Sequence, residues 1–417
     1  MNAPNERPPA HDGRDAALRV RAQRVIPGGM YGHQRAQLFP TNYPQFLESG
    51  SGALIRDVDG REFVDFLCGY GPIVLGYGHA AVEAAAAAQR SKADCQNLPS
   101  ARVVELAEMM VGLTGHADWA MFAKNGTDGT TTALTIARAA TGKSVILVER
   151  NSYHGAAPWC TPGLEGVTSA DRANIRYFDY NDLPSLATAR DEAADDLAGI
   201  IITPFKHNDG VDQEDIHPAF ARELRRLCDS DGAVLILDDV RAGMRLHHGS
   251  SWETFDVQPD ISVWGKAIAN GYPLSAILGR QSLREAAAAV FSTGTYWYAA
   301  VPMAASLATI RAIEDEDAIG AMARAGLRFK EGLTKQATSH GFDVSYTGPV
   351  QMPYMRFLGE HGENLNYKFA AHALDHGVYL HPRHNWFVSA AHSDAIIDRA
   401  LEGTDHALAA LARDAAP

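Results

Sequence analysis

Leu235-Ile236-Leu237-Asp238-Asp239-Val240 and, further along, Ile261-Ser262-Val263-Trp264-Gly265-Lys266 are two short apolar runs that stop abruptly on charge. Runs of this length, rich in branched residues, read as buried β-strands. One strand finishing on a carboxylate and another finishing on Gly-Lys place an acid and an amine at one edge of a sheet. That edge is where open α/β sheets bind ligands. Taken singly, an aspartate and a lysine are ordinary surface residues. Their pairing at two strand ends is what points to a site.

The same pattern extends outward in both directions. Apolar runs at Trp119–Ala123, Val145–Val148, Ile175–Phe178, Gly199–Ile202 and Leu274–Leu278 join those at Val234–Leu237 and Ile261–Trp264. Segments such as Thr130–Ala140 and Pro218–Cys228 lie between them with apolar residues at helical spacing. Strands alternating with helices need crossover connections, which predicts an α/β fold with a mostly parallel seven-stranded sheet flanked by helices. Ala53–Phe66 reads as strands around an Asp59-Gly60 turn. Val301–Gln336 is dominated by helix formers and predicts a long connecting helix. Strand-like pieces at Val344–Tyr346, Met352–Phe357, Val378–Leu380 and Trp386–Ser389 predict a smaller α+β domain. The expected division is a disordered tail over 1–15 and an N-terminal segment over 16–70 that joins the small domain. The large domain then spans 71–315 and the C-terminal small domain 316–417.

Composition excludes several functions. A net charge of −13 argues against a nucleic-acid or anionic-membrane partner, which would need clustered Lys and Arg. No apolar stretch approaches the roughly 20 residues of a membrane span. The N-terminus lacks the apolar core of a secretory signal. Cys68, Cys95, Cys160 and Cys228 are scattered without metal-ligand spacing, so no metal site is expected and the thiols read as reduced, in a cytoplasmic protein.

An acid and an amine at one strand edge suit pyridoxal 5′-phosphate (PLP), whose aldehyde condenses with a lysine while a carboxylate keeps its pyridine nitrogen protonated. Phe122-Ala123-Lys124-Asn125-Gly126-Thr127-Asp128-Gly129-Thr130-Thr131 joins a strand to a helix through glycine and small hydroxyl residues. Such a junction exposes unpaired N–H groups at the positive end of a helix dipole, a cradle for phosphate. Gly-Thr-Asp is also good sequence for a plain helix cap, and the motif alone does not choose. Tyr153-His154-Gly155 adds an aromatic face near the same edge.

In order and spacing these motifs resemble the class III, fold-type I PLP-dependent aminotransferases, in the branch that includes glutamate-1-semialdehyde aminomutase, over roughly residues 20 to 410. The family's Ser-Gly-Thr-Glu-Ala is matched by Asn125-Gly126-Thr127-Asp128-Gly129 and its Tyr-His-Gly by Tyr153-His154-Gly155. Its Asp-Glu-Val is matched by Asp238-Asp239-Val240 and its Gly-Lys by Gly265-Lys266. Within the class, Gly28-Gly29-Met30-Tyr31-Gly32-His33 and His381-Pro382…His384-Asn385 look like aminotransferases that deaminate hydrolysed fumonisin. The resemblance implies that Lys266 carries PLP and acts as general base, with burial making its neutral amine available near pH 7. It implies that Asp238 pairs with the pyridine nitrogen, that Tyr153 and Val240 flank the ring, and that Gly126 and Thr127 bind the phosphate. It also implies that Thr295 reaches the phosphate from the neighbouring subunit of a homodimer with shared active sites.

The chain departs from the family where relatives carry Glu-Pro, having Thr203-Pro204-Phe205-Lys206-His207 instead. Either Lys206 or His207 then faces the cofactor's phenolic oxygen, or neither does. Tyr70 replaces a tryptophan, which would enlarge the substrate pocket, and Trp297 lies in a stretch that would reshape it. A keto acid needs a cationic partner for its carboxylate, and bidentate arginine is the best geometric match. The candidates are Arg35, Arg241 and Arg383, each of which also reads as a surface or ion-pair arginine. The expected activity moves an amino group from a bulky or long-chain primary amine, or a non-α amino acid, to a keto acid such as pyruvate. The alternatives are an intramolecular glutamate-1-semialdehyde aminomutase and a non-catalytic PLP-fold sensor or scaffold. The altered phosphate-loop and Glu-Pro regions speak against the first alternative. Retention of Lys266, Asp238 and Tyr153 together speaks against the second.

Overall fold

Each of the seven apolar runs forms a strand of one sheet in the computed structural model, which describes residues 13–415. The strands are β1 (Trp119–Ala123), β2 (Val145–Glu149), β3 (Ile175–Phe178), β4 (Leu197–Ile202), β5 (Val234–Asp238), β6 (Ile261–Trp264) and β7 (Ser275–Gly279). Their spatial order is β1-β7-β6-β5-β4-β2-β3. β7 runs antiparallel to both neighbours, and the remaining pairs are parallel. Period-two alternation divides each central strand between two apolar cores. Leu147, Ile200, Leu235 and Leu237 face one, with the helix Pro218–Asp231; Ile146, Ile201, Ile236 and Val263 face the other, with the helix Gly126–Thr141. Those two helices stop at Gly142 and Gly232, whose φ of 68° and 62° is the left-handed conformation that glycine adopts freely after a helix. The consequence for function is topological. The carboxyl ends of β1, β2, β4, β5 and β6 all open on one edge.

The N-terminal segment shares a sheet with the C-terminal part of the chain. Leu54–Asp57 and Glu62–Asp65 pair antiparallel around Gly60, and Val64 pairs in parallel with Val378. A single apolar cluster runs from Val64 and Phe66 through Trp264 and Ile268 to Phe329 and Leu411, across the expected boundary at 315/316.

Two expectations need correction. Residues 14 and 15 of the expected tail open the helix Arg14–Val25, because the Asp59 carboxylate accepts the Arg14 amide at 2.6 Å and the Asp15 amide at 3.4 Å. Residues 1–12 of that tail lie outside the described residues. The stretch Val301–Gln336, expected to contain a long helix, holds two, Ala300–Asp315 and Ala318–Ser339. Asp317 breaks them, at φ 49°, and caps the second by accepting the Gly320 amide at 3.2 Å. Trp386–Ser389 is not a sheet strand. Its amides alternate between two partners, Trp386 and Val388 donating to Pro353 and Gln351 while Phe387 donates to Phe66, so no ladder with one neighbour forms.

Candidate active site

The last residues of β2 and β5 are both buried carboxylates, and one loop connects them. Asp238 is 5% exposed; its Oδ2 lies 2.7 Å from His154 Nδ1 and its Oδ1 accepts the Val240 amide at 3.2 Å. His154 Nε2 lies 2.6 Å from Ser152 Oγ. Glu149, 2% exposed, accepts the Thr203 amide at 3.3 Å and a hydrogen bond from the Thr203 hydroxyl. Burial pushes its carboxyl up to about 7, against the pull of His154 and of its hydroxyl neighbours Thr203 and Ser152. A row of polar groups thus runs from Glu149 past Ser152 and His154 to Asp238, from the core to the sheet edge.

Lys266 opens the short turn Lys266–Ala269 directly after β6, at φ 47°. Its Nζ donates to the Tyr70 carbonyl at 2.7 Å, and it forms no ion pair among the described residues. Burial pulls the amine down from 10.5 to about 7, helped by the positive charges of Arg241 and Arg245 and opposed by Asp238. An amine so placed is substantially neutral at physiological pH, as a nucleophile and proton carrier must be.

At the end of β1, Asn125 caps the helix Gly126–Thr141 in a capping box, its amide donating to Asp128 Oδ2 at 2.9 Å. The amides of Gly126 and Thr127 then have no intrahelical acceptor, and the dipole's positive end stands behind them. Val240 packs beneath this turn. A Cβ on Gly126 would lie 3.0 Å from Val240 Cγ1, and one on Gly265 3.2 Å from the same atom. Val240 therefore sits between the phosphate-loop glycine and the glycine that precedes Lys266.

The other residues singled out from the sequence fall into two groups. Arg241 is brought to the site: it is half-buried with Nη1 on Asn385 Oδ1, and its charge acts on Lys266. Burial lowers it to about 10, with Asp209 and Asp238 opposing. Tyr70 is brought there too, through its carbonyl, while its hydroxyl donates to the His33 carbonyl at 2.9 Å. Tyr153 is near enough to feel Arg241 and Asp238, yet 43% exposed. The second group stays at the rim. Arg35 is exposed with Nε on the Gly32 carbonyl at 3.2 Å, and Arg383 is exposed and faces Glu363 at 3.4 Å. Thr295 is exposed beside Cys95 and makes no hydrogen bond to Gly126 or Thr127 of its own chain. Trp297 is half-buried against Gly294. Of the Glu-Pro replacements, Lys206 turns to Glu214 at 3.7 Å. His207 is half-buried, and desolvation, helped by the charges of Arg241 and Lys266, holds it well below its ordinary range.

Sequence reasoning quoted His154 in a motif without giving it a role and passed over Glu149, Asp209 and Arg245. Glu149 carried the same signal as Asp238, an apolar strand ending on a carboxylate. The others stand in loops, where no period marks them.

A half-buried amine poised near neutrality, a carboxylate oriented by histidine, and a helix start bounded by glycines are what PLP requires, and the residues present fit it. Residues 39–408 match the family model of class-III aminotransferases. The chain is 45% identical over 405 residues to the aminopentol aminotransferase of Sphingopyxis macrogoltabida, covering 97% of this chain and 96% of that one. It is 32% identical over 418 residues to a glutamate-1-semialdehyde 2,1-aminomutase of Ignicoccus hospitalis, covering 93% and 97%. The solved PLP internal aldimine form of the FumI protein from Sphingopyxis sp. MTA144 matches with a TM-score of 0.95 at 45% identity, covering 96% of this chain and 97% of that one. The greater likeness to an aminotransferase favours transamination over the aminomutase alternative. The chain belongs to the class-III aminotransferases, PLP-dependent enzymes of fold type I.

Proposed function

We propose that this aminotransferase moves the amino group of a bulky or long-chain primary amine, or of a non-α amino acid, to a keto acid such as pyruvate. The observation that carries the reading is Lys266, a half-buried amine without an ion-pair partner among the described residues, one strand away from the Asp238–His154 pair. PLP, when bound, supplies the electron sink for the bond that breaks at the amine-bearing carbon. The protein's own residues do the rest. Gly126 and Thr127 hold the phosphate at the helix start, and Val240 and Tyr153 flank the ring. Asp238, steered by His154, keeps a proton on the pyridine nitrogen. Lys266 anchors the cofactor and then moves the proton at Nζ between carbon positions.

Arg241 is the best placed of the three arginines to hold the keto acid's carboxylate, since it is half-buried with its charge acting on Lys266 while Arg35 and Arg383 lie at the rim. The name of the aminopentol aminotransferase relative supports a long-chain amine as the donor. A second copy of the chain completes the site. Tyr153 is half-exposed, and Thr295 stands among exposed Phe291, Tyr296 and Tyr298, an apolar stretch that a partner would cover while receiving Thr295 near its phosphate. A cytoplasmic location fits four free cysteines, and no helix of the described residues is long and apolar enough to cross a membrane.

The absorbance of the purified protein tests this. A long-chain primary amine should bleach the yellow lysine-linked chromophore, and pyruvate should restore it. A protein that responds only to glutamate-1-semialdehyde would overturn the reading.

A further inference from the structure

Four consecutive residues, Cys68, Gly69, Tyr70 and Gly71, hold φ of 49°, 64°, 65° and 103°. Cysteine and tyrosine seldom adopt that region unless the surroundings over-determine it. The third of the four presents the carbonyl that receives Lys266 Nζ at 2.7 Å. A strained loop at such a point needs fastening.

Three buried polar side chains fasten it. Asp65 accepts the Leu67 and Cys68 amides at 2.8 and 3.1 Å, at the entry. Asn270 accepts the Val74 and Leu75 amides at 3.0 and 2.9 Å and donates to the Gly76 carbonyl at 2.9 Å, at the exit. Between them stands Arg245. It is 0% exposed, and its Nη2 donates to the Gly71 carbonyl at 2.5 Å and the Ile73 carbonyl at 3.3 Å, while Nη1 donates to the Val388 carbonyl at 2.8 Å. It forms no ion pair among the described residues. A fully buried guanidinium answered by carbonyls and the Met322 sulfur, with no carboxylate, is costly unless it does something a neutral residue would not. Phe387 links it to the site: the Arg245 guanidinium lies 5.0 Å from that ring's centre and Lys266 Nζ 5.9 Å from it.

We propose that Arg245 is a positioning residue for Lys266, clamping through the Gly71 and Ile73 carbonyls the left-handed loop whose Tyr70 carbonyl meets the Lys266 amine. Its uncompensated charge has a second effect, favouring the neutral amine. The charged and titratable groups around Lys266 are Asp238, Arg241, Arg245, His33, His207 and His384. Of these, His33 and His384 pack their rings on Tyr70 at 4.5 and 5.3 Å, and Arg245 alone donates side-chain hydrogen bonds to the loop's carbonyls.

The inference rests on Lys266 being the cofactor lysine, and the experiment separates the two. Full-length protein is compared as wild type, Arg245→Met, Arg245→Lys and Gly71→Ala, with Lys266→Ala as control. Two quantities are read. One is kcat of the holoenzyme with a long-chain amine. The other is the pH midpoint of PLP uptake by the chain freed of cofactor, a step that needs unprotonated Lys266. Arg245→Met removes clamp and charge, so the midpoint should rise by about one pH unit and kcat should fall about tenfold or more. Arg245→Lys keeps a charge that cannot bridge the same carbonyls. Gly71→Ala keeps Arg245 and drives a Cβ to 2.9 Å from the Phe387 ring. Both should lose kcat with the midpoint nearly unmoved. A folded Arg245→Met protein with wild-type kcat and midpoint overturns the proposal; if that variant does not fold, wild-type kcat in both others does so. Turnover surviving in Lys266→Ala removes the role of Lys266 itself, whereas an inactive Lys266→Ala beside wild-type Arg245 variants removes only the positioning.

Discussion

The strand-end edge and the loop rim of this enzyme obey different constraints. At the edge, Glu149, Asp238 and Lys266 finish or directly follow strands that are buried throughout, so each side chain has one direction to point. At the rim, Arg35, Thr295 and Trp297 belong to loops whose neighbours include Tyr31, Phe291 and Tyr296, between 65% and 93% exposed. The edge is complete within one chain. The rim presents apolar surface that a single chain leaves uncovered. The lysine, the carboxylates and the helix start therefore sit at the sheet edge, and the exposed apolar side chains sit on loops around it.

The largest expected effect lies at the edge. Asp238→Asn should lower kcat by roughly two to three orders of magnitude, the scale for removing one preorganised electrostatic partner. An amide cannot hold the pyridine nitrogen protonated. Steady-state kinetics on cofactor-saturated protein checks it. A loss below tenfold would hand the role to Asp239, which is fully buried with its Oδ2 on the Ser251 amide at 2.9 Å.

The same contrast explains what could be read in advance. The seven strands and the acid–amine pair were legible because a buried parallel strand shows as an apolar run, and a charge at its end is conspicuous. Glu149 meets the same criterion, an apolar strand ending on a carboxylate, and was equally legible. Arg245 shows a true limit: its partners, Gly71, Ile73 and Val388, are main-chain carbonyls far away in sequence, and carbonyls carry no signature. Trp386–Ser389 looked like a strand because it is apolar and extended, and only the division of its amides between two partners keeps it out of a sheet. Arg35 is one of three arginines that sequence offers for the carboxylate, and its guanidinium rests on the Gly32 carbonyl at the surface.

Two experiments sharpen the comparison at the rim. Arg241→Ala should raise KM for pyruvate by about ten- to hundredfold, since hydrogen bonds to a charged group contribute roughly 1.5–3 kcal/mol. KM for an uncharged amine should change little, and Arg35→Ala should leave both nearly unaltered. A selective pyruvate defect in Arg35→Ala instead would move the carboxylate site to the rim. For assembly, Lys266→Ala chains mixed with Thr295→Ala chains should form heterodimers with one doubly damaged site and one intact site. Heterodimers purified by differential tags should recover about half the wild-type activity if Thr295 serves the partner's phosphate. Activity no better than the inactive parents would confine the phosphate site to one chain.

The smallest effect should come from Glu149→Gln, and its pH dependence says whether the line Glu149–Ser152–His154–Asp238 acts as a unit. The Glu149 carboxyl is raised from 4.5 to about 7 in the folded protein, chiefly by burial. Such a group favours the folded state fully below its unfolded value, and that contribution is lost as pH rises through about 7. Glutamine is neutral throughout. The variant should therefore unfold at nearly the wild-type temperature near pH 5, where glutamate is itself still protonated. Above pH 7 the wild type carries a buried charge that the variant lacks, and the variant should gain on it by a few degrees. Thermal unfolding at matched cofactor saturation across this range checks the sign. The holoenzyme's pH–rate profile supplies the functional half. If Glu149 sets the protonation of the His154–Asp238 pair, the limb near pH 7 should shift in Glu149→Gln while kcat at the optimum stays close to wild type. An unshifted limb would reduce Glu149 to a packing residue and leave His154 as the last member of the edge that reaches the cofactor.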